Sequence, residues 1–176
     1  MPEACQNLVT RVSPAEAFGI LEPYFLELRG RFVERGFDRV KRARLTVLPE
    51  MHDTARHFAG TTTDGREIAL APEMVELDEH FVVGILAHEL GHSADFLYPG
   101  EFVLGQNETI VRRDLDRIDD RQRQRWQRAW ETRDPYVVEK TADLIASGVW
   151  GSPIGYAGPC KLETFEGGAP RPKELR

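Results

Sequence analysis

With 176 residues, of which 41% are apolar, the chain is long enough to form one compact domain with a hydrophobic core. Its 29 acidic and 23 basic residues give a formal net charge of -6, which repels phosphate backbones and anionic membranes, so neither nucleic acid nor a membrane is an expected partner. The sequence has no apolar run of membrane-spanning length, no N-terminal signal pattern and no CxxC pair. We therefore expect a single cytoplasmic domain over residues 1–176, with an irregular tail at 149–176.

The first predicted element is an amphipathic helix near the N-terminus. Ser13 followed by Pro14 is typical of an N-cap and the first turn of a helix. Apolar residues then recur at helical spacing as far as Phe32, and the pattern ends near Gly36. This segment should therefore form one helix.

Three short strands are predicted after this helix. The segment ARLTVLP favours a strand that Pro49 ends, and a second strand is expected near ARHFAGT. The pair Asp64-Gly65 predicts a tight turn, after which Ile68 and Leu70 show the alternation of a half-buried strand. The segments on either side of this turn should form a hairpin.

A helix that follows the hairpin is predicted over about residues 79 to 97. Asp78 is a favourable N-cap for it. Four apolar residues at helical spacing form its predicted core face, namely Val82, Leu86, Leu90 and Leu97.

Two more helices are predicted towards the C-terminus. Residues 108 to 132 are dense in both charge signs and carry a sparse apolar stripe, which is typical of a long surface helix. The pair Asp134-Pro135 favours the start of a last helix, which Gly148 or Gly151 can end.

The segment ILAHELGHSADF places two histidines and a glutamate in the otherwise apolar helix over 79 to 97. His88 and His92 lie one turn apart on the same face, a spacing that lets both imidazoles bind one zinc ion. Glu89 projects beside them and can act as a general base on a water molecule. Gly91 disfavours the helix by about 1 kcal/mol relative to alanine, which indicates that another backbone or a ligand approaches it closely. The alternative is an ordinary helix whose polar residues have other partners.

A catalytic zinc site usually has three protein ligands, so a third must lie elsewhere. The metzincin extension would need glycine at position 95 and histidine at position 98, but the chain has Asp95 and Tyr98. The best candidate is Glu139 in VVEKTADLIA, an apolar helical segment with Asp143 one turn later on the same face. Glu108 is another possible third ligand, and an ordinary surface pair of acids is the alternative for Glu139 and Asp143.

The motifs HELGH and EKTAD together resemble those of the gluzincin-type HExxH zinc metallopeptidases. The layout is similar to that of the ImmA/IrrE-like and lethal-factor-like domains. The resemblance implies an α+β, zincin-like fold: a short mixed sheet whose edge strand packs on the HExxH helix, followed by C-terminal helices. In such a fold, Ile68, Ala69 and Leu70 would form the edge strand that binds an extended peptide.

The resemblance also implies the chemistry of the site. One Zn2+ ion would be bound by His88, His92 and Glu139, with Glu89 as the general base. Asp143 would orient a ligand histidine by accepting its second ring N–H. The expected reaction is hydrolysis of peptide bonds in a peptide or protein substrate.

Weaker expectations concern an oxyanion donor and two other functions. Tyr156 or Tyr136 could donate a hydrogen bond to the oxyanion of the reaction. The same metal ligands could instead stabilise a non-catalytic, protein-binding module. The arginine-rich segment over residues 108 to 132 could belong to a nucleic-acid-associated regulator, whose binding would fall steeply with salt.

Overall fold

The computed structural model describes residues 10–49, 59–77 and 79–151. These residues form a mixed α+β structure, as predicted, with helices α1 (Pro14–Glu34), α2 (Glu79–Leu97), α3 (Asp120–Glu131) and α4 (Pro135–Trp150). The strands are β1 (Arg44–Val47), β2 (Ala59–Thr61), β3 (Glu67–Leu70), β4 (Phe102–Leu104) and β5 (Ile110–Arg112). None of the described helices has the length and apolar character needed to cross a membrane.

Helix α1 begins where the sequence predicts, because two residues cap each other. The Glu16 backbone N–H donates to the Ser13 hydroxyl over 3.2 Å, and the Ser13 backbone N–H donates to the Glu16 carboxylate over 2.9 Å. Gly36 follows the helix with a φ of 92°, so the predicted end is also confirmed. One face of α1 is buried in the core through Ala17, Leu21, Phe25, Leu28 and Phe32.

The main sheet has the strand order β1-β3-β2, with β3 parallel to β1 and antiparallel to β2. The predicted hairpin is therefore present, with β2 and β3 as its strands. The prediction that Ile68, Ala69 and Leu70 form an edge strand is wrong, because β3 has a hydrogen-bonded neighbour on each side. Alternating apolar residues indicate which face of a strand is buried, but they do not indicate which strands flank it. Among the described strands, β2 is the edge of this sheet that packs against α2.

Helix α2 is buried on nearly all sides and packs against α1, β2 and α4. The four apolar residues of its predicted core face are all buried. A Cβ atom at Gly91 would overlap the backbone of Ala142 in α4, which confirms the predicted close approach. The predicted N-cap, Asp78, lies outside the described residues.

The prediction of one long helix over residues 108 to 132 is wrong. The first part of this segment forms β5, which pairs with β4 in a separate two-stranded sheet. The carboxylates of Asp114 and Asp119 then accept the backbone N–H groups of Asp116 and Gln122. Such local caps compete with helix propagation, so α3 begins only at Asp120.

Helix α4 matches its prediction at both ends. The Asp134 side chain accepts the backbone N–H of Tyr136 over 2.8 Å, and Pro135 occupies the first turn. Gly151 ends the helix with a φ of 83°, a left-handed conformation that glycine adopts readily. Of the irregular tail predicted over residues 149–176, Val149 and Trp150 instead belong to α4, and residues 152–176 lie outside the described residues.

Candidate metal centre

Helices α2 and α4 bring together three potential metal ligands that are far apart in the sequence. The Nε2 atoms of His88 and His92 lie 3.0 Å apart. The carboxylate of Glu139 approaches both rings, with distances of 2.9 Å to His88 Nε2 and 3.3 Å to His92 Nε2. Potential ligand atoms of the three residues all lie within 4.8 Å of one another, so this group could hold a metal ion.

Asp143 fixes the orientation of the His88 ring. Its Oδ1 atom lies 2.7 Å from His88 Nδ1, and both side chains are buried. An ionised carboxylate can only accept at this distance, so Nδ1 carries the proton. In the neutral ring, the Nε2 lone pair is therefore directed towards Glu139 and His92. The structure thus places Asp143 in the position that the resemblance implies for an orienting residue.

The distances within this cluster fit a tetrahedral ion. With ligand bonds of about 2.0 to 2.1 Å, neighbouring ligand atoms of a tetrahedral zinc site are about 3.3 Å apart. The two Nε2 atoms are 3.0 Å apart, and each lies at a similar distance from one oxygen of Glu139, His88 at 2.9 Å from Oε2 and His92 at 3.3 Å from Oε1. Moreover, Glu139 Oε2 is buried without a hydrogen-bond partner among the described residues. A cation would compensate the lone pairs that face each other here.

The electrostatic environment keeps Glu139 ionised. Burial acts to raise the pKa of this carboxyl group, whereas hydrogen bonds from His88 and His92, and the positive charge of these rings in their protonated form, lower it. The net result is a pKa well below the ordinary value of glutamate. Ligation requires the carboxylate form of Glu139 and neutral imidazoles, so the protons that a cation must displace are those of the histidines and not one on Glu139.

Glu89 lies next to the cluster and is almost completely buried, with 1% of its surface exposed. The Thr61 hydroxyl, at the end of β2, lies 2.7 Å from Glu89 Oε2 and 3.0 Å from the Glu89 backbone carbonyl. Strand β2 therefore holds the predicted general base. Thr61 could not be singled out among the three consecutive threonines of GTTTD from their residue type alone, because the pairing of β2 with β3 decides which of them faces α2.

A buried ion pair that sequence reasoning missed supports the end of α2. Asp95 is fully buried and accepts two hydrogen bonds from the Arg133 guanidinium, at 2.6 and 3.2 Å. The indole N–H of Trp130 donates to the same carboxylate over 3.0 Å. These contacts join α2 to Trp130 at the end of α3 and to Arg133 in the segment between α3 and α4. Asp95 and Arg133 are far apart in the sequence, so no local pattern indicates that they pair.

The remaining predicted site residues lie outside the cluster. The Tyr136 hydroxyl donates to Glu108 over 2.9 Å, and Lys140 forms an ion pair with the same carboxylate at 3.0 Å. The hydrogen bond to Glu108 raises the pKa of Tyr136, and Lys140 and Tyr136 together lower the pKa of Glu108. Glu108 is therefore not part of the metal-binding group. The Tyr136 hydroxyl, predicted as a possible oxyanion donor, donates to Glu108 instead. Tyr156 lies outside the described residues.

The chain matches no protein-family model, and comparisons with curated proteins and with solved structures found no similar protein. The resemblance to gluzincin-type enzymes therefore rests on the motifs HELGH and EKTAD. Any function must be argued from the chemistry of the cluster itself.

Proposed function

We propose that this chain is a zinc-dependent peptidase whose metal ligands are His88, His92 and Glu139. The observation that carries this proposal is the convergence of two imidazole nitrogens and an ionised carboxylate, beside a buried glutamate. Two histidines and one carboxylate are a usual ligand set of catalytic zinc. Nitrogen ligands of this kind favour zinc over calcium or magnesium, which prefer oxygen ligands alone.

The accessibility of the cluster favours a catalytic site over a structural one. Structural zinc sites are closed by four protein ligands, whereas catalytic sites keep one position open. The metal-binding group contains three residues among those described, and the Glu139 side chain is 21% exposed. Solvent can therefore approach from the side of α4. When bound, zinc would polarise the substrate carbonyl and lower the pKa of a water molecule.

Glu89 is the proposed general base. It follows the ligand His88 directly, and the Thr61 hydroxyl restricts the rotation of its carboxylate through Oε2. From this position the carboxylate would accept a proton from the attacking water and later donate it to the leaving amine. Burial protects this proton transfer from bulk solvent.

Strand β2 is the better candidate for alignment of an extended substrate. β3 is the central strand and uses both of its edges within the sheet, whereas β2 has one neighbour among the described strands. β2 also carries Thr61, which contacts Glu89. A peptide added beside β2 would therefore lie close to the general base.

The test is the substitution Glu89→Gln, which preserves the volume of the side chain and removes its basicity. We expect the variant to bind zinc as the parent does and to lose at least about 100-fold in peptidase activity, the usual contribution of acid–base catalysis. Activity would be measured on a library of fluorescence-quenched peptides, and zinc by elemental analysis. Glu34→Gln is the matched control, because Glu34 is exposed at the end of α1.

Equal turnover by parent and Glu89→Gln would exclude the proposed role of Glu89. If zinc is bound in equal amount by both proteins and neither cleaves any peptide of the library, the non-catalytic zinc module becomes the better interpretation. If the parent binds no zinc, the metal site itself is excluded.

A further inference from the structure

A second candidate site lies at the end of the three-stranded sheet where β1 and β3 begin, next to α1. The register pairs Leu45 with Ile68 and Ile68 with Thr61, so these side chains share the face that packs against α2. Arg44 and Glu67 pair on the opposite face. A cavity of about 1000 Å³ opens there, at the ends of the strands.

This cavity concentrates positive charge in a chain whose formal net charge is -6. Its lining contains five basic and two acidic side chains, which leaves a local charge of +3. The acidic residues are Asp64 and Glu67. The basic residues come from α1, from the turn after it, from β1 and from the hairpin, and they are Arg29, Lys41, Arg42, Arg44 and Arg66.

None of these five cations forms an ion pair within the part of the chain that the structure describes. Elsewhere in that part, Arg and Lys side chains often pair with an acid, as Arg31 does with Glu27 and Arg112 with Glu101. In the cavity, the Asp64 carboxylate instead accepts the Thr62 hydroxyl and the Arg66 backbone N–H. The positive charge of the lining is therefore available to a ligand.

The walls of the cavity are held in place from two sides. The Arg29 guanidinium donates to the backbone carbonyl of Ala43 over 2.9 Å and lies over the Phe25 ring. On the hairpin side, the Ser93 hydroxyl of α2 donates to the Gly65 carbonyl over 2.5 Å. These contacts fix the Arg29 side chain and the backbone of the hairpin turn, which reduces the entropy that a ligand must offset on binding.

We propose that this cavity binds a small ligand that carries a diphosphate or triphosphate group. Guanidinium groups donate paired hydrogen bonds that match phosphate oxygens, and three threonines of the lining (Thr46, Thr62 and Thr63) can donate further ones. No aromatic side chain is among the described residues of the lining, so none of these residues can stack on a nucleobase. The phosphate groups, rather than a base, would therefore be recognised.

The test is to titrate the zinc-loaded chain with inorganic tripolyphosphate and to measure the heat of binding by calorimetry, at low and at high salt. Arg44→Gln combined with Arg66→Gln removes two exposed cations of the cavity, and we expect binding to weaken by about tenfold or more. The matched control is Arg125→Gln combined with Arg128→Gln, which makes the same change in net charge on the exposed face of α3. This control should bind tripolyphosphate as the parent does.

Tripolyphosphate is itself a zinc ligand, so bound zinc would be measured before and after each titration. Equal weakening in both double variants would overturn the proposal, because it would indicate an unspecific charge effect. Absence of binding to the parent at low salt would overturn it as well. If a single-stranded oligonucleotide bound more tightly than tripolyphosphate, the proposal of a small ligand would be overturned in favour of a nucleic acid. All of these results are independent of peptidase activity.

Discussion

At the scale of single residues, the hydroxyl of Thr61 is the contact that links the sheet to the proposed general base. It has one proton but lies within hydrogen-bond distance of both the Glu89 carboxylate and the Glu89 backbone carbonyl. Because Glu89 is buried, its orientation depends on such fixed partners rather than on water. Thr61 is therefore a positioning residue of the proposed reaction.

We expect Thr61→Val to lower kcat by roughly tenfold, since a hydrogen bond to a charged group contributes about 1.5 to 3 kcal/mol. Valine keeps the shape of threonine but cannot donate, so KM and zinc content should stay unchanged. Thr61→Ser retains the hydroxyl and should restore most of the rate. A valine variant with the parent's kcat would show that Thr61 does not position the base.

The ligand Glu139 should contribute more to zinc affinity than Asp143, which only orients a ligand. Loss of an orienting carboxylate typically weakens metal binding by about 10- to 100-fold, so this is the expected effect of Asp143→Asn. Glu139→Ala removes a ligand and should weaken zinc by more than that. Affinity would be measured by competition with a chromophoric chelator, with the exposed Glu131→Ala as control. Undiminished affinity in Glu139→Ala would assign the third ligand to another residue.

At the scale of secondary structure, the site depends on how closely α2 and α4 approach each other. The contact is made where Gly91 faces the backbone of Ala142. The neighbouring residues His92 and Asp143 belong to the metal site or support it. The absence of a side chain at Gly91 therefore sets the separation between the two helices that supply the ligands.

Gly91→Ala should destabilise the fold despite the better helix propensity of alanine. Propensity favours alanine by about 1 kcal/mol, whereas overpacking costs about 1 to 3 kcal/mol. The overlapping atoms at Ala142 belong to the backbone and cannot rotate away, so the overpacking should dominate. We expect a lower free energy of unfolding in urea, together with weaker zinc binding, because α4 would carry Glu139 away from the histidines.

Gly148→Ala in α4 is the matched control for this experiment. A Cβ atom at Gly148 would meet nothing within 4 Å, so this variant should be as stable as the parent or slightly more stable. If Gly91→Ala proved as stable as Gly148→Ala, the close approach of the two helices would not require glycine at position 91 for stability.

The elements also show how far the sequence determines the structure. Caps and periodicity are local, so the bounds of α1 and α4 and the one-turn spacings of His88 with His92 and of Glu139 with Asp143 could be predicted. The central position of β3, the contact of Thr61 with Glu89 and the pairing of Asp95 with Arg133 could not, because each depends on residues far apart in the chain. The prediction of one long helix over residues 108 to 132 was wrong because two other interactions compete with helix formation there. These are the pairing of β4 with β5 and the caps made by Asp114 and Asp119.

At the scale of the whole molecule, the metal site couples two helices that the chain brings together only on folding. An ion bound by His88, His92 and Glu139 would stabilise the folded state, because the unfolded chain cannot hold these ligands together. Removal of zinc by a chelator should therefore lower the midpoint of thermal unfolding. Protons compete with the metal for the same ligands, so this stabilisation should depend on pH.

The last prediction concerns the direction of that dependence. A carboxyl group with a depressed pKa in the folded state contributes stability above its unfolded pKa of about 4.3 and loses it as the pH falls towards the folded value. The pKa of Glu139 is held well below the ordinary value, so this residue stays ionised between pH 8 and 5. Imidazoles have an ordinary pKa of about 6.5 and must be neutral to bind zinc. The histidines, rather than Glu139, should therefore control the loss of metal in acid.

We expect zinc to be retained at neutral pH and released around pH 5, below the ordinary imidazole pKa because coordination opposes protonation. The stabilisation by zinc should disappear over the same range and return when the pH is raised with added zinc. Bound zinc after dialysis across pH 4 to 8 would be compared with thermal unfolding of loaded and metal-free protein. Glu89→Gln serves as the control, because its release curve should match that of the parent. Zinc that remains fully bound at pH 4 would contradict the prediction that protonation of the two histidines releases it around pH 5.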